Sequence, residues 1–211
     1  MPIEYTVIRS FRKSVSMKVK DGRLYVYASP FTTDGQIRQL IASHQRWINR
    51  QLNNKRINLN YDLDKDENIW ILGKPRRLTV ITGRRKKITL TDDQLIIEAA
   101  SRQSAQTNLK EYLSSIVERI AIEIRDSLGM DFEVRCRYYK SRWGCNFHTK
   151  NLIVLNYLLA CTPEGCIRQV VCHEICHFRV HNHQKAFYAE LQRLCPDYRV
   201  WLKQLKQYTI S

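Results

Sequence analysis

The chain has 211 residues, enough for one substantial domain or two small ones, and its hydrophobic content of 44% supports a packed core. No apolar stretch approaches the roughly 20 residues of a membrane span, and Met1-Pro2-Ile3-Glu4-Tyr5 lacks the apolar core of a secretory signal, so a cytoplasmic location is expected. The net charge of +15 is spread along the chain, 19 basic against 10 acidic side chains in residues 1–100 and 16 against 10 in residues 101–211, which points to an anionic partner as readily as to a merely basic surface.

The first half reads as β-rich. Residues 5–9, 14–20 and 23–28 alternate or run β-branched, and Asp21-Gly22 is a hairpin signal between the last two. Thr32 or Thr33 caps a predicted helix to about residue 53, with Ile37, Leu40, Ile41, Trp47, Ile48 and Leu52 near the 3.6 period. Residues 54–68 read as a polar connector. Strands are expected at 69–72, 78–82, 88–90 and 95–98. Lys74, Arg76, Arg77 and Arg84 to Lys87 form the densest basic cluster, read as charged turns and edges before a phosphate-contacting patch. No aromatic residues interleave that cluster, so it offers no stacking platform.

From about residue 103 to 128 the stripe Leu109, Tyr112, Leu113, Ile116, Ile120, Ile124 and Leu128 predicts a long amphipathic helix closed by Gly129. Strands are expected at 132–139 and 152–156, with Trp143-Gly144 in a turn between them. Thr162 caps the next predicted helix, with Pro163 in its first position. Two shorter helices, 184–194 and 198–208, follow around Pro196-Asp197. The fold class is α+β, divided as a β-rich region, 1–100, and a second domain, 101–211.

His173-Glu174-Ile175-Cys176-His177 lies in the helix after Thr162. Residues four apart share a helix face, so His173 and His177 can grip one metal ion, with Glu174 placed as a general base beside it. The preceding Ile167, Val170 and Val171 mark a buried helix, where two histidines and a glutamate without partners would be costly. Zinc with an open position is the expected cofactor. Seven cysteines, at 136, 145, 161, 166, 172, 176 and 195, form no CxxC pair. They read as reduced, buried thiols rather than a disulfide framework or ligands.

A catalytic zinc needs a third protein ligand. His181 continues the same face, but the outer two of three such histidines lie about 12 Å apart along the axis. His183 serves if the chain turns back, which Asn182 favours through its tolerance of the left-handed region. Glu190 serves if the next helix packs against the first. His183 is preferred, then Glu190, then His181. For a developing oxyanion the candidates are Arg142, Tyr138, Tyr139, Asn156 and Tyr157. Arg142 also reads as a cation–π partner of Trp143, and Tyr157 as core.

The HExxH stretch followed by Asn182-His183 and Phe187, with Pro196-Asp197-Tyr198 downstream and Lys140 to Gly144 upstream, resembles the YgjP-like branch of zincin metallopeptidases, relatives of the SprT and WLM proteases. The likeness extends over nearly the whole chain, and Cys145 stands where the family often has serine. The resemblance implies a zincin-like fold, metallopeptidase activity, and His173, His177 and His183 as zinc ligands. It also brings two alternatives: a UTP pyrophosphohydrolase, a designation carried within the family, and a nucleic-acid-associated SprT-like protease. No P-loop, zinc finger or helix-turn-helix pattern accompanies either. The expected substrate is a peptide, with an anionic nucleotide as the alternative; the catalytic residues are Glu174 and Arg142, and nucleic acid remains a partner suggested by charge.

Overall fold

A computed structural model describes residues 3–20, 22–53, 56–64 and 67–210. Asp21 of the expected hairpin, and residues 54, 55, 65 and 66 of the expected connector, lie outside the described residues. The chain is mixed α and β and forms two compact units, 1–56 and 57–211. The boundary expected at residue 100 falls inside the second unit.

The first unit holds β1 (Tyr5–Arg9), β2 (Ser16–Lys20), β3 (Arg23–Ala28), α1 (Asp34–Ser43) and α2 (Gln45–Asn53). β3 is central, parallel to β1 and antiparallel to β2. Its alternate residues Leu24, Val26 and Ala28 are buried with Ile37, Ile41 and Ile48. Thr33 caps α1 in a capping box with Gln36. The single helix expected to residue 53 breaks at His44. The Ser43 hydroxyl and the His44 ring both hydrogen-bond Leu40 O, competing with the helical ladder.

The second unit runs β4 (Ile57–Asn58), β5 (Asn68–Ile71), β6 (Lys74–Thr82), β7 (Lys87–Leu90), β8 (Gln94–Ala99), α3 (Arg102–Ser127), β9 (Glu133–Arg137), β10 (Gly144–Phe147), β11 (Leu152–Asn156), α4 (Glu164–Cys176), α5 (Lys185–Leu194), α6 (Tyr198–Leu205) and β12 (Tyr208–Thr209). One sheet has the order β5-β6-β8-β7, another β10-β11-β9, and β4 pairs with β12. α3 joins the two larger sheets: its buried Leu109, Leu113, Val117 and Ile120 share one core with Leu95 and Ile97 of β8 and Ile153 and Leu155 of β11. That shared core is why the strands of residues 57–99 fold with α3. The basic cluster divides, Lys74, Arg76 and Arg77 standing in β6 itself and Arg84 to Lys86 in the turn after it.

β10 stands where a turn is expected. It is an edge strand of its sheet, antiparallel to β11, and it packs on α4. Thr162 does not cap α4: its hydroxyl donates to Leu159 O and closes the short 3₁₀ turn of residues 157–161, while Pro163 holds the N-cap position. Gly165 lies under Trp201 of α6, so closely that a Cβ there would come within 2.2 Å of the indole. α4 ends at Cys176, and turn bonds from Phe178, Arg179 and Val180 back to Ile175 O and Cys176 O reverse the chain. The reversal does not place Asn182 in the left-handed region; among described non-glycine residues only Leu72 and Asn151 are there.

Candidate metal centre

His173 sits in the last turn of α4 and His177 is its C-cap residue. The reversal after α4 returns His183 against them. Donor atoms of the three imidazoles all lie within 4.8 Å of one another, and His173 Nε2 stands 3.1 Å from His183 Nε2. The Phe187 ring, fully buried on α5, packs against all three, 4.9, 4.8 and 4.6 Å from their centroids. It forms an apolar wall that fixes their orientation.

Protonation favours lone pairs facing inward. The His177 Nδ1–H donates to Val180 O at 3.1 Å, since a carbonyl can only accept, which leaves the Nε2 lone pair free to ligate a metal ion. Burial, reinforced by the other two imidazoles, pushes His173 down to about 4, and burial also lowers His177. Three imidazoles converging on one point fit a divalent ion of borderline softness. The carbonyl side-chain oxygen of Asn146, buried without a hydrogen-bond partner in the adjacent cleft wall, is a further unsatisfied acceptor there.

Glu174 is 7% exposed, and burial raises its carboxyl to about 7 against the opposing pull of the Asn146 main-chain N–H and of Arg142. β10 is its cradle. The Asn146 side-chain NH₂ donates to Glu174 O at 2.7 Å, and a Cβ on Gly144 would stand 2.8 Å from Glu174 Oε1. Gly144, Asn146, the two α4 histidines, Glu174 and Arg142 line one cleft of about 450 Å³. Neither β10 nor its clamp on Glu174 is foreseen from the sequence, because Gly-Cys-Asn-Phe has no alternating pattern.

The other expected residues separate. Glu190 pairs with Arg179 and Arg193 at 3.2 and 2.8 Å and stays outside the cluster. His181 packs on His148, 4.6 Å between rings, at the cleft wall. Arg142 lies over Tyr139 rather than Trp143, and Trp143 joins the core. Tyr138 donates to Asn60 Oδ1 and Ile210 O, and Tyr157 packs against it at 6.2 Å. Asn156 is buried, its NH₂ donating to Tyr139 O and Arg142 O, so it anchors the loop that carries Arg142. The Tyr139 hydroxyl is buried with no hydrogen-bond partner and near enough to Glu174 for their charges to interact. All seven cysteines are free, and none belongs to the metal-competent cluster.

The family model described as YgjP-like, metallopeptidase domain, matches residues 13–208. No curated protein matches the chain. Two solved structures are similar to parts of it. The metallopeptidase zymogen jannalysin of Methanocaldococcus jannaschii matches 42% of this chain and 94% of its own, at 20% identity and a TM-score of 0.35. The zymogen abylysin of Pyrococcus abyssi matches 45% and 99%, at 18% identity and a TM-score of 0.36. No helix among the described residues is long and apolar enough to cross a membrane.

Proposed function

The chain belongs to the YgjP-like metallopeptidase family, and on that premise we propose that it hydrolyses peptide bonds with a zinc held by His173, His177 and His183. The observation that carries this is the convergence of those three imidazoles within 4.8 Å, with the buried Glu174 carboxyl lining one cleft with His173 and His177. Zinc bound there supplies Lewis acidity, polarising a carbonyl and lowering the pKa of water to about 7.

The chain's own residues supply the rest. An extended substrate lies along β10, whose outer edge offers main-chain groups to a peptide backbone. Glu174, aimed by Gly144 and Asn146, takes a proton from the attacking water and delivers it to the leaving amine; a carboxyl near neutrality suits both transfers. Arg142, held through Asn156, faces the oxyanion that develops at the scissile carbonyl. His177 keeps its tautomer through Val180 O.

The cleft lining favours an amide over a triphosphate. Arg142 is the one Lys or Arg among its described residues, whereas triphosphate binding calls for several cations. Nucleotide hydrolysis is the second arm of the test. Zinc stoichiometry by elemental analysis should stay near one per chain in His181→Ala and Glu190→Ala and fall in His183→Ala. Phosphate and pyrophosphate release from nucleoside triphosphates should not exceed that of Glu174→Gln. Full zinc retention in His183→Ala, or triphosphate hydrolysis that depends on Glu174, would refute the proposal.

A further inference from the structure

The first unit carries no part of the metal centre, yet holds much of the charge: 11 Lys and Arg in residues 1–56 against Glu4, Asp21 and Asp34, a net +8 of the chain's +15. Asp34 is already paired with Arg9 at 2.9 Å. The pleat of β3 turns Leu24, Val26 and Ala28 to the helices and sends Arg23, Tyr25 and Tyr27 to the opposite face. No helix of this unit's core covers that face.

The face is built of aromatic, cationic and hydroxyl groups in register. Tyr25 stands between Thr6 of β1 and Lys18 of β2, and Tyr27 between Ile8 and Ser16. The two tyrosines are half-buried and about 7 Å apart along the strand. The Arg12 guanidinium lies over Tyr27, 5.7 Å from the ring centroid, and its Nε is buried with no hydrogen-bond partner. Two phenylalanines stand in solvent at the end of the sheet where β1 and β3 finish, Phe11 91% and Phe31 84% exposed. Phe11-Arg12-Lys13 sets one of these rings directly beside two cations.

We propose that this face of the first unit binds single-stranded RNA, with Tyr25 and Tyr27 stacking unpaired bases and Arg12, Lys18 and Arg23 meeting the phosphates. Sheet-borne aromatics flanked by cations are the means by which proteins hold splayed bases, because every base has a π-face and every linkage a negative charge. Duplex nucleic acid is disfavoured, since its bases are not free to stack. The hydroxyls of Thr6 and Ser16, one beside each tyrosine, favour ribose over deoxyribose by meeting 2′-hydroxyl groups. The basic cluster of β6 and the turn after it lacks interleaved aromatics and is not the site.

The test is fluorescence anisotropy with the full chain and a labelled mixed-sequence RNA of about 15 nucleotides. Binding should weaken with salt, with a log–log slope of about −2 for the three phosphates that Arg12, Lys18 and Arg23 neutralise. Tyr25→Ala and Tyr27→Ala should each weaken binding roughly tenfold or more, and Lys18→Glu should lower both affinity and slope. Tyr25→Phe/Tyr27→Phe, which keeps the rings, should bind within about twofold of wild type and so separates stacking from misfolding. Binding unchanged by the alanine variants, or lost only when Arg84 and Arg85 are reversed, overturns the proposal. So does equal affinity for duplex, or for DNA of the same sequence. Capture by phosphatidylserine vesicles through Phe11 and Phe31, without RNA binding, would assign the face to a membrane surface instead.

Discussion

Gly165 is the point at which the helix carrying the metal ligands meets the C-terminal helix. A Cβ added there would stand 2.2, 2.3 and 2.5 Å from three atoms of the Trp201 indole, where ordinary contact begins at 3.4 Å. The shortfall, 3.4 less 2.2, is 1.2 Å, and it cannot be absorbed by a flexible side-chain tip because the obstacle is a rigid ring. Gly165→Ala must therefore shift Trp201 or separate α4 from α6, at a cost of about 3 kcal/mol on the scale of overpacked cores. With a urea m-value of about 2 kcal/mol/M, the midpoint should fall by about 1.5 M. The variant should be measured beside Trp201→Ala and the double variant. With the indole removed, Gly165→Ala should cost less than about 1 kcal/mol, a coupling of about 2 kcal/mol. His173 lies eight residues along the helix, about 12 Å away, so zinc stoichiometry of the folded protein should be unchanged. An equal cost of Gly165→Ala in both backgrounds, or a loss below about 0.5 kcal/mol in the first, would refute the packing reasoning.

Gly144→Ala should act on chemistry rather than metal binding: its Cβ, 2.8 Å from Glu174 Oε1, displaces the carboxyl. A misplacement of this kind is expected to lower kcat by about 100-fold with zinc affinity kept, and unchanged turnover would count against the β10 cradle. In the metal-free chain burial holds the Glu174 carboxyl at about 7 against 4.5 unfolded. Below pH 4.5 both states are protonated and nothing is lost; as pH rises to 7 the unfolded state alone ionises, so stability falls by up to about 3 kcal/mol and stays lower. Glu174→Gln should thus stabilise the metal-free protein at pH 8 and not at pH 4.5, as read by urea unfolding in chelator. Phe187→Ala, which removes the wall behind all three imidazoles, should destabilise by about 3–5 kcal/mol and weaken zinc binding in the folded protein, whereas Tyr188→Ala on the exposed side of α5 should leave zinc binding unchanged.

What the sequence reveals of the site follows from the range of the interactions. His173, Glu174 and His177 are legible because helical periodicity alone sets them on one face. His183 is legible as a requirement, since a helix cannot bring a third imidazole of its own to the same ion, but the turn bonds to Ile175 O and Cys176 O that return it are not. β10 is hidden because Gly144 to Phe147 has neither alternation nor β-branching; its partner is β11 and its purpose is contact with Glu174, both set by packing. Thr162 looks like a cap because Pro163 and Glu164 follow it, yet its hydroxyl is taken by the turn before α4. Strand patterns also do not say which helix covers them, and Leu95, Ile97 and Ala99 share one core with α3.

Cleavage of a mixed peptide library, read by mass spectrometry, tests the central claim most directly. Zinc-loaded protein should generate new peptide termini, and Glu174→Gln, with zinc stoichiometry still near one, should generate none above background. Equal cleavage by the variant, or no cleavage by the zinc-loaded wild-type chain across the library, would contradict a peptidase built on His173, Glu174, His177 and His183.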